Sequence, residues 1–188
     1  IFTAHIRTID DKIQTVSEHI DGVKRLAEGF SKKLMMESIL KLASILHDVG
    51  KLNTDFDDYI NGRNNMRRGS IDHSFAGAKY IIDFAKKYNV QEVNETAAFI
   101  GRIIISHHGL HDWIDKNYED YLFNRISKID RYDEIYKETE NLIKDEVAVL
   151  LPLATKEYVD IKNNIYSISR NAISFCFYLG MLERLAES

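Results

Sequence analysis

The chain has little of what builds several large protein classes. A single cysteine, Cys176, excludes an intrachain disulfide framework and a cysteine-based zinc site. One proline, Pro152, and nine glycines in 188 residues supply few turn positions, which disfavours a many-stranded sheet and favours helices. There is no run of about 18 apolar residues, so no membrane span is expected. The longest apolar stretch near the end, Ile173–Leu179, is interrupted by Ser174. The opening residues Ile1–Arg7 lack the apolar segment of a secretory signal, and with the free cysteine this points to the cytoplasm. Basic residues are not in excess: 25 Lys and Arg stand against 29 Asp and Glu, a net charge of −4. That balance excludes a broadly basic nucleic-acid coat but not a local basic path. No repeat, low-complexity tract or Gly/Ser linker divides the chain, so residues 1–188 read as one domain. It opens on Ile rather than Met, which leaves room for residues ahead of it.

What is present is a core-forming helical sequence, 45% hydrophobic and 29% charged. Thr15 and Glu18 have the spacing of a capping box, in which each satisfies a free amide of the first helical turn. Val16, Ile20, Val23, Ala27 and Phe30 then recur at helical spacing, and His19 points inward with them. A second helix is predicted from about Leu34 to Asp48, with Ile39, Leu40, Ala43, Leu46 and His47 on its inner face and Gly50 as a left-handed cap. A short helix at Thr54–Ile60 precedes a polar loop, 61–70, that holds Arg63, Arg67 and Arg68. Further helices are predicted at Asp72–Tyr88 and Asn94–His108, the latter ended by Gly109. Later ones span 118–129, 133–151 and 157–185, with breaks near Arg131, Pro152 and Asn163–Asn164. No segment sustains period-two alternation, so the predicted fold class is all-α, a helical bundle.

Histidine is the unusual count, at seven. His47-Asp48 closes one predicted helix, Asp72-His73 opens another, His107-His108 closes a third and His19 lies on the inner face of a fourth. Bundle cores converge such groups into metal sites. Neutral imidazole suits Mn, Fe, Co, Ni, Cu and Zn, and a carboxylate can bridge two divalent ions. Two ions about 3.5–4 Å apart can clamp an in-line phosphoryl displacement and generate hydroxide at neutral pH. A lone buried histidine is more often a hydrogen-bonded core residue than a ligand, but an ordered set across separate helices is hard to reach by chance. Cys176, between Phe175 and Phe177, reads as a core thiol.

The stretch Leu46-His47-Asp48-Val49-Gly50-Lys51 resembles the signature of the HD superfamily of metal-dependent phosphohydrolases. Asp72-His73-Ser74 with Ala76-Gly77-Ala78, and Ser106-His107-His108-Gly109, resemble more narrowly the HD nuclease domain of the CRISPR-associated type I helicase–nuclease, as does Gln14-Thr15-Val16 followed by Glu18-His19. The resemblance implies an all-α HD bundle that hydrolyses single-stranded DNA with one or two divalent transition metals (Mn, Ni, Co or Fe rather than Mg alone). It implies His19, His47 and Asp48 as ligands of a first metal, Asp48 as the carboxylate between two, and His73, His107 and His108 as ligands of a second. Lys51 matches the lysine of the HD-x-G-K motif, near the scissile phosphate; without the resemblance it reads as a solvated lysine at a helix end. The implied partners are single-stranded DNA, a CRISPR helicase domain or subunit, and the RNA-guided surveillance complex.

One departure stands out. The family has a further aspartate in a C-terminal helix, and Arg184-Leu185-Ala186-Glu187-Ser188 resembles the start of that motif. The aspartate is then expected a few residues beyond Ser188, with the domain truncated before it. An internal match of Arg170 with Ser174 would put Gly180 in its place. Arg63, Arg67 and Arg68, with Lys79, are the candidate nucleic-acid contacts, and Trp113, Tyr118 and Tyr121 are candidate stacking residues. Two other functions fit parts of the pattern: an HD phosphohydrolase acting on nucleotides or cyclic nucleotides, and a non-catalytic helical module that docks a partner. If imidazoles are the ligands, they must be neutral, so activity should fall below about pH 6.5.

Overall fold

The structure is a computed structural model that describes residues 1–34, 36–66, 73–107, 109 and 120–165. It is all-α, apart from one small hairpin formed by β1 (Thr3–Arg7) and β2 (Lys12–Thr15). Among the described residues there are seven α-helices: α1 (Val16–Leu34), α2 (Glu37–Leu46), α3 (Thr54–Ile60), α4 (Ala76–Lys86), α5 (Gln91–Ser106), α6 (Leu122–Ile126) and α7 (Tyr132–Ile165). None of these helices is long and apolar enough to cross a membrane.

The centre of the bundle is α2. Its sequence is apolar on nearly every side, the pattern of a helix surrounded by others, and it packs against α1, α4, α5 and α7. Ile39, Leu42, Ala43, Ile45 and Leu46 are fully buried. Its N-cap, Met36, has no capping side chain. The free amides of Ser38 and Ile39 instead donate to the Glu157 carboxylate of α7, at 2.9–3.0 Å. An acidic group at a helix N-terminus is stabilising, and here tertiary packing supplies it.

The capping box at Thr15 is present: Thr15 N donates to Glu18 Oε2 at 2.9 Å and Glu18 N to Thr15 Oγ1 at 3.2 Å. Val16, Ile20, Val23 and Ala27 form the buried face of α1, and Ala97, Ile100, Ile103 and Ile104 that of α5. Arg131, at the predicted break, has φ +56°.

The hairpin carries little sequence signal, because its strands are short and its turn, at Asp10-Asp11 with Asp11 at φ +53°, contains no glycine. Gly50 is no left-handed cap: it lies in a single 3₁₀ turn, Val49–Lys51. Glycine stands there for space, since a Cβ would fall 2.0 Å from the His73 carbonyl oxygen. Pro152 does not break α7, which runs through it. A proline inside a helix costs about 3 kcal/mol, but Leu151 and Ala154 beside it are fully buried and hold both flanks in the core. The break predicted at Asn163 also lies within this helix.

Tyr80 and Tyr132 tie α4 to α7. Tyr80 Oη donates to Glu140 Oε1 at 2.9 Å, and Tyr132 Oη to Asp83 Oδ2 at 3.1 Å. Burial, reinforced by the acceptor carboxylates, pushes both phenols well above their usual range. The folded chain therefore keeps these protons while the unfolded chain releases them near pH 10, so stability falls as pH rises past that point. The melting temperature should drop between about pH 9 and about pH 11, and the Tyr80→Phe/Tyr132→Phe protein should show a shallower drop. An equal slope in both proteins would refute this.

Candidate metal centre

Helix α2 ends at Leu46, His47 is its C-cap, and Asp48 leaves helical geometry with φ −114° and ψ 13°. In a continuing helix, adjacent side chains diverge by about 100°. The break lets His47 and Asp48 face the same space, where both are buried. His19 arrives from the inner face of α1, His73 from the segment just before α4, and His107 from the C-cap of α5.

All of them gather on Asp48. Its Oδ2 lies 3.0 Å from His19 Nε2, 3.4 Å from His47 Nε2 and 2.7 Å from Lys51 Nζ. Its Oδ1 lies 3.8 Å from His73 Nε2 and 4.0 Å from His107 Nε2. Each carboxylate oxygen is thus faced by its own pair of imidazoles. Oδ1 is buried and accepts no hydrogen bond among the described residues. A buried acceptor left so is costly unless something else satisfies it.

The tautomers point the same way. His47 Nδ1 contacts the Ser44 carbonyl oxygen at 2.7 Å, and His107 Nδ1 contacts that of Ile104. A carbonyl oxygen only accepts, so Nδ1 carries a proton in both rings, and in the neutral ring the lone pair is on Nε2, the atom that faces Asp48. His19 Nε2 and His47 Nε2 are 3.1 Å apart. Two ligands bound about 2.1 Å from one ion are separated by about 3.0–3.4 Å, so the donor set fits divalent metal ions.

Charge favours the same occupant. Burial works against ionised Asp48, but in the metal-free centre the charge of a protonated His47, hydrogen bonds from His19 and His47, and the Lys51 ammonium outweigh it and hold the carboxyl well below the usual carboxylate range. The carboxylate thus stays ionised in mildly acidic solution.

Lys51 is not a solvated lysine at a helix end; it is 5% exposed, and its ammonium lies on Asp48. The Arg63 guanidinium is paired with Asp57 and Asp58, which offsets its charge locally. Tyr121 is half-buried. His108, Arg67, Arg68, Asp72, Trp113, Tyr118, Cys176 and the C-terminal motif residues Arg170, Ser174, Gly180 and Arg184–Ser188 lie outside the described residues.

His5 also reaches this cluster. In β1, its Nε2 is 3.2 Å from Lys51 Nζ and its ring is 4.7 Å from that of His19. It belongs to none of the motifs, and only the pairing of Thr3–Arg7 with Lys12–Thr15 across the Asp-Asp turn could have signalled it.

The HD domain family model matches residues 16–148, most of the chain. The chain belongs to the HD domain family. The HD match covers every histidine around Asp48 except His5. No curated protein and no solved structure matches the chain. An HD domain implies metal-dependent phosphohydrolase activity with divalent metal ions, and the histidines and carboxylate around Asp48 suit that chemistry.

Proposed function

We propose that this HD domain is a nuclease that cleaves single-stranded DNA in CRISPR interference, with Mn, Ni, Co or Fe as its metal. The observation that carries the reading is Asp48, one buried carboxylate with an imidazole pair on each oxygen. That arrangement suits one or two divalent ions acting on a phosphodiester. The wording of the neighbouring motifs, Asp72-His73-Ser74 and Ser106-His107-His108-Gly109, favours the CRISPR nuclease group within the family. An imidazole-rich donor set favours transition metals over Mg, which prefers oxygen ligands and keeps its waters.

A cavity of about 280 Å³ lies next to residues of the centre. Phe75, Tyr121, Arg125 and Lys128 line it together with the carboxylates Asp55 and Asp130, and the Arg125 guanidinium lies 4.3 Å above the Phe75 ring. Its lining residues Asn53 and Phe75 each follow a residue of the centre, Lys51 and His73, by two positions. The exposed Arg125 and Lys128 suit phosphate contacts with an unpaired strand, and the half-buried Tyr121 a base contact.

When bound, divalent metal ions supply a hydroxide nucleophile at neutral pH and stabilise the oxygens of the displacement. The chain's own groups act around that chemistry. Asp48 remains ionised, and the backbone carbonyls of Ser44 and Ile104 keep the His47 and His107 lone pairs inward. In this reading Lys51 would donate to a phosphoryl oxygen and offset the charge that develops there. A CRISPR helicase domain or subunit, with the RNA-guided surveillance complex, would deliver the strand.

The test is incubation with Mn²⁺, Ni²⁺ or Co²⁺ and circular single-stranded DNA, with mononucleotides and cyclic nucleotides in parallel. Fragmentation of the circle is expected. Phosphate or nucleoside release with the circle intact would replace this reading with a nucleotide phosphohydrolase. No turnover of any substrate, with no metal bound, would make the chain a non-catalytic docking module.

A further inference from the structure

We propose that the N-terminal hairpin is part of the metal centre, with His5 a ligand of the same ion as His19 and Asp48. The inference rests on reading the Asp48 cluster as a metal centre, and it adds a residue from outside the segment that matches the HD family.

One ligand atom from each of His5, His19 and Asp48 lies within 4.8 Å of the other two. The tautomer of His5 is set by its neighbour. An ammonium has only donors, so His5 Nε2, at 3.2 Å from Lys51 Nζ, accepts and carries a lone pair on the side facing the centre. The same ammonium is 2.7 Å from Asp48 Oδ2. Lys51 therefore bridges the two groups that a metal would join, and marks a position where a cation is favourable.

The hairpin is built to aim this ring. Thr3 pairs with Thr15 but His5 with Gln14, so Ala4 is an extra residue on β1. In a regular strand Thr3 and His5 would share one face. The bulge separates them and redirects the side chain, a role bulges commonly have beside functional sites. Both ends of the device are anchored. Thr3 N donates to Asp57 Oδ1 of α3 at 2.8 Å, Asn61 Nδ2 donates to Thr3 Oγ1 at 3.2 Å, and Val16 N donates to the Phe2 carbonyl oxygen at 2.9 Å.

Co²⁺ titration of the full chain tests this, read by calorimetry and by the visible absorption of the bound ion, for the native protein and for His5→Ala, Asp48→Asn and Lys51→Met. His5 is exposed, so His5→Ala should keep the metal-free circular dichroism spectrum. It should weaken the binding of one Co²⁺ by at least about tenfold and shift its absorption bands. Lys51→Met should leave the bands in place, because lysine supplies no ligand. If Asp48→Asn loses Co²⁺ while His5→Ala keeps native affinity and bands, His5 is not a ligand and the centre stands without it. If Asp48→Asn also binds Co²⁺ as the native protein does, the centre itself is wrong and the proposal falls with it.

Discussion

Replacing Asp48 with alanine should abolish hydrolysis and metal uptake and also weaken the metal-free fold. The first effect follows from position. Asp48 is the group on which His19, His47, His73 and His107 converge, and its two oxygens face different imidazole pairs. Losing a residue that merely orients a ligand costs about 10–100-fold in affinity or activity, so losing the shared carboxylate should exceed about a hundredfold. The second effect comes from Lys51, whose buried ammonium is paired with Asp48. Removing one partner of a buried pair typically costs about 3–5 kcal/mol, because the other charge is left uncompensated. An Asp48→Asn/Lys51→Met protein removes both charges and should recover most of that stability while staying inactive. Urea denaturation and metal analysis of both variants separate the two roles. Appreciable turnover by Asp48→Ala would refute the shared-ligand assignment, and an unchanged urea midpoint would refute the pairing.

The second large effect is expected from adding one methyl group to a glycine, with a sign that depends on which glycine is chosen. A Cβ on Gly77 would fall 1.9 Å from the Leu46 carbonyl oxygen, where α4 crosses the end of α2. Backbone meets backbone there, so no side chain can move aside and the helices must separate. Overpacking of this kind costs about 1–3 kcal/mol. Because Leu46 immediately precedes His47, the strain should also reach the metal centre. Gly50→Ala presses on His73 in the same way, at 2.0 Å from its carbonyl oxygen. Gly22 and Gly29, within α1, would place a Cβ within 4 Å of nothing. There alanine should stabilise by up to about 1 kcal/mol, since it is the better helix former. Melting temperatures should therefore fall for Gly50→Ala and Gly77→Ala and rise for Gly22→Ala and Gly29→Ala. Lower Co²⁺ affinity should accompany the first pair alone. Four shifts of the same sign would show that close approach does not select these glycines.

What the amino-acid sequence determined by itself is local. Helical spacing in α1 and α5, the Thr15–Glu18 capping box and the break at Arg131 are all decided by residues within a few positions of one another, and the structure has each of them. The His47-Asp48 adjacency at a helix end was legible for the same reason, and with it the HD family. Tertiary structure decided what depends on distant partners. Glu157 caps α2 from 119 residues away, and core packing carries α7 through Pro152. Gly50 and Gly77 owe their identity to backbones that approach from other elements. His5 reaches the Asp48 cluster only because a bulged hairpin is fastened to α1 and α3. Local rules follow the covalent chain, whereas a metal centre is a convergence in space of residues whose separation in sequence says nothing of their distance.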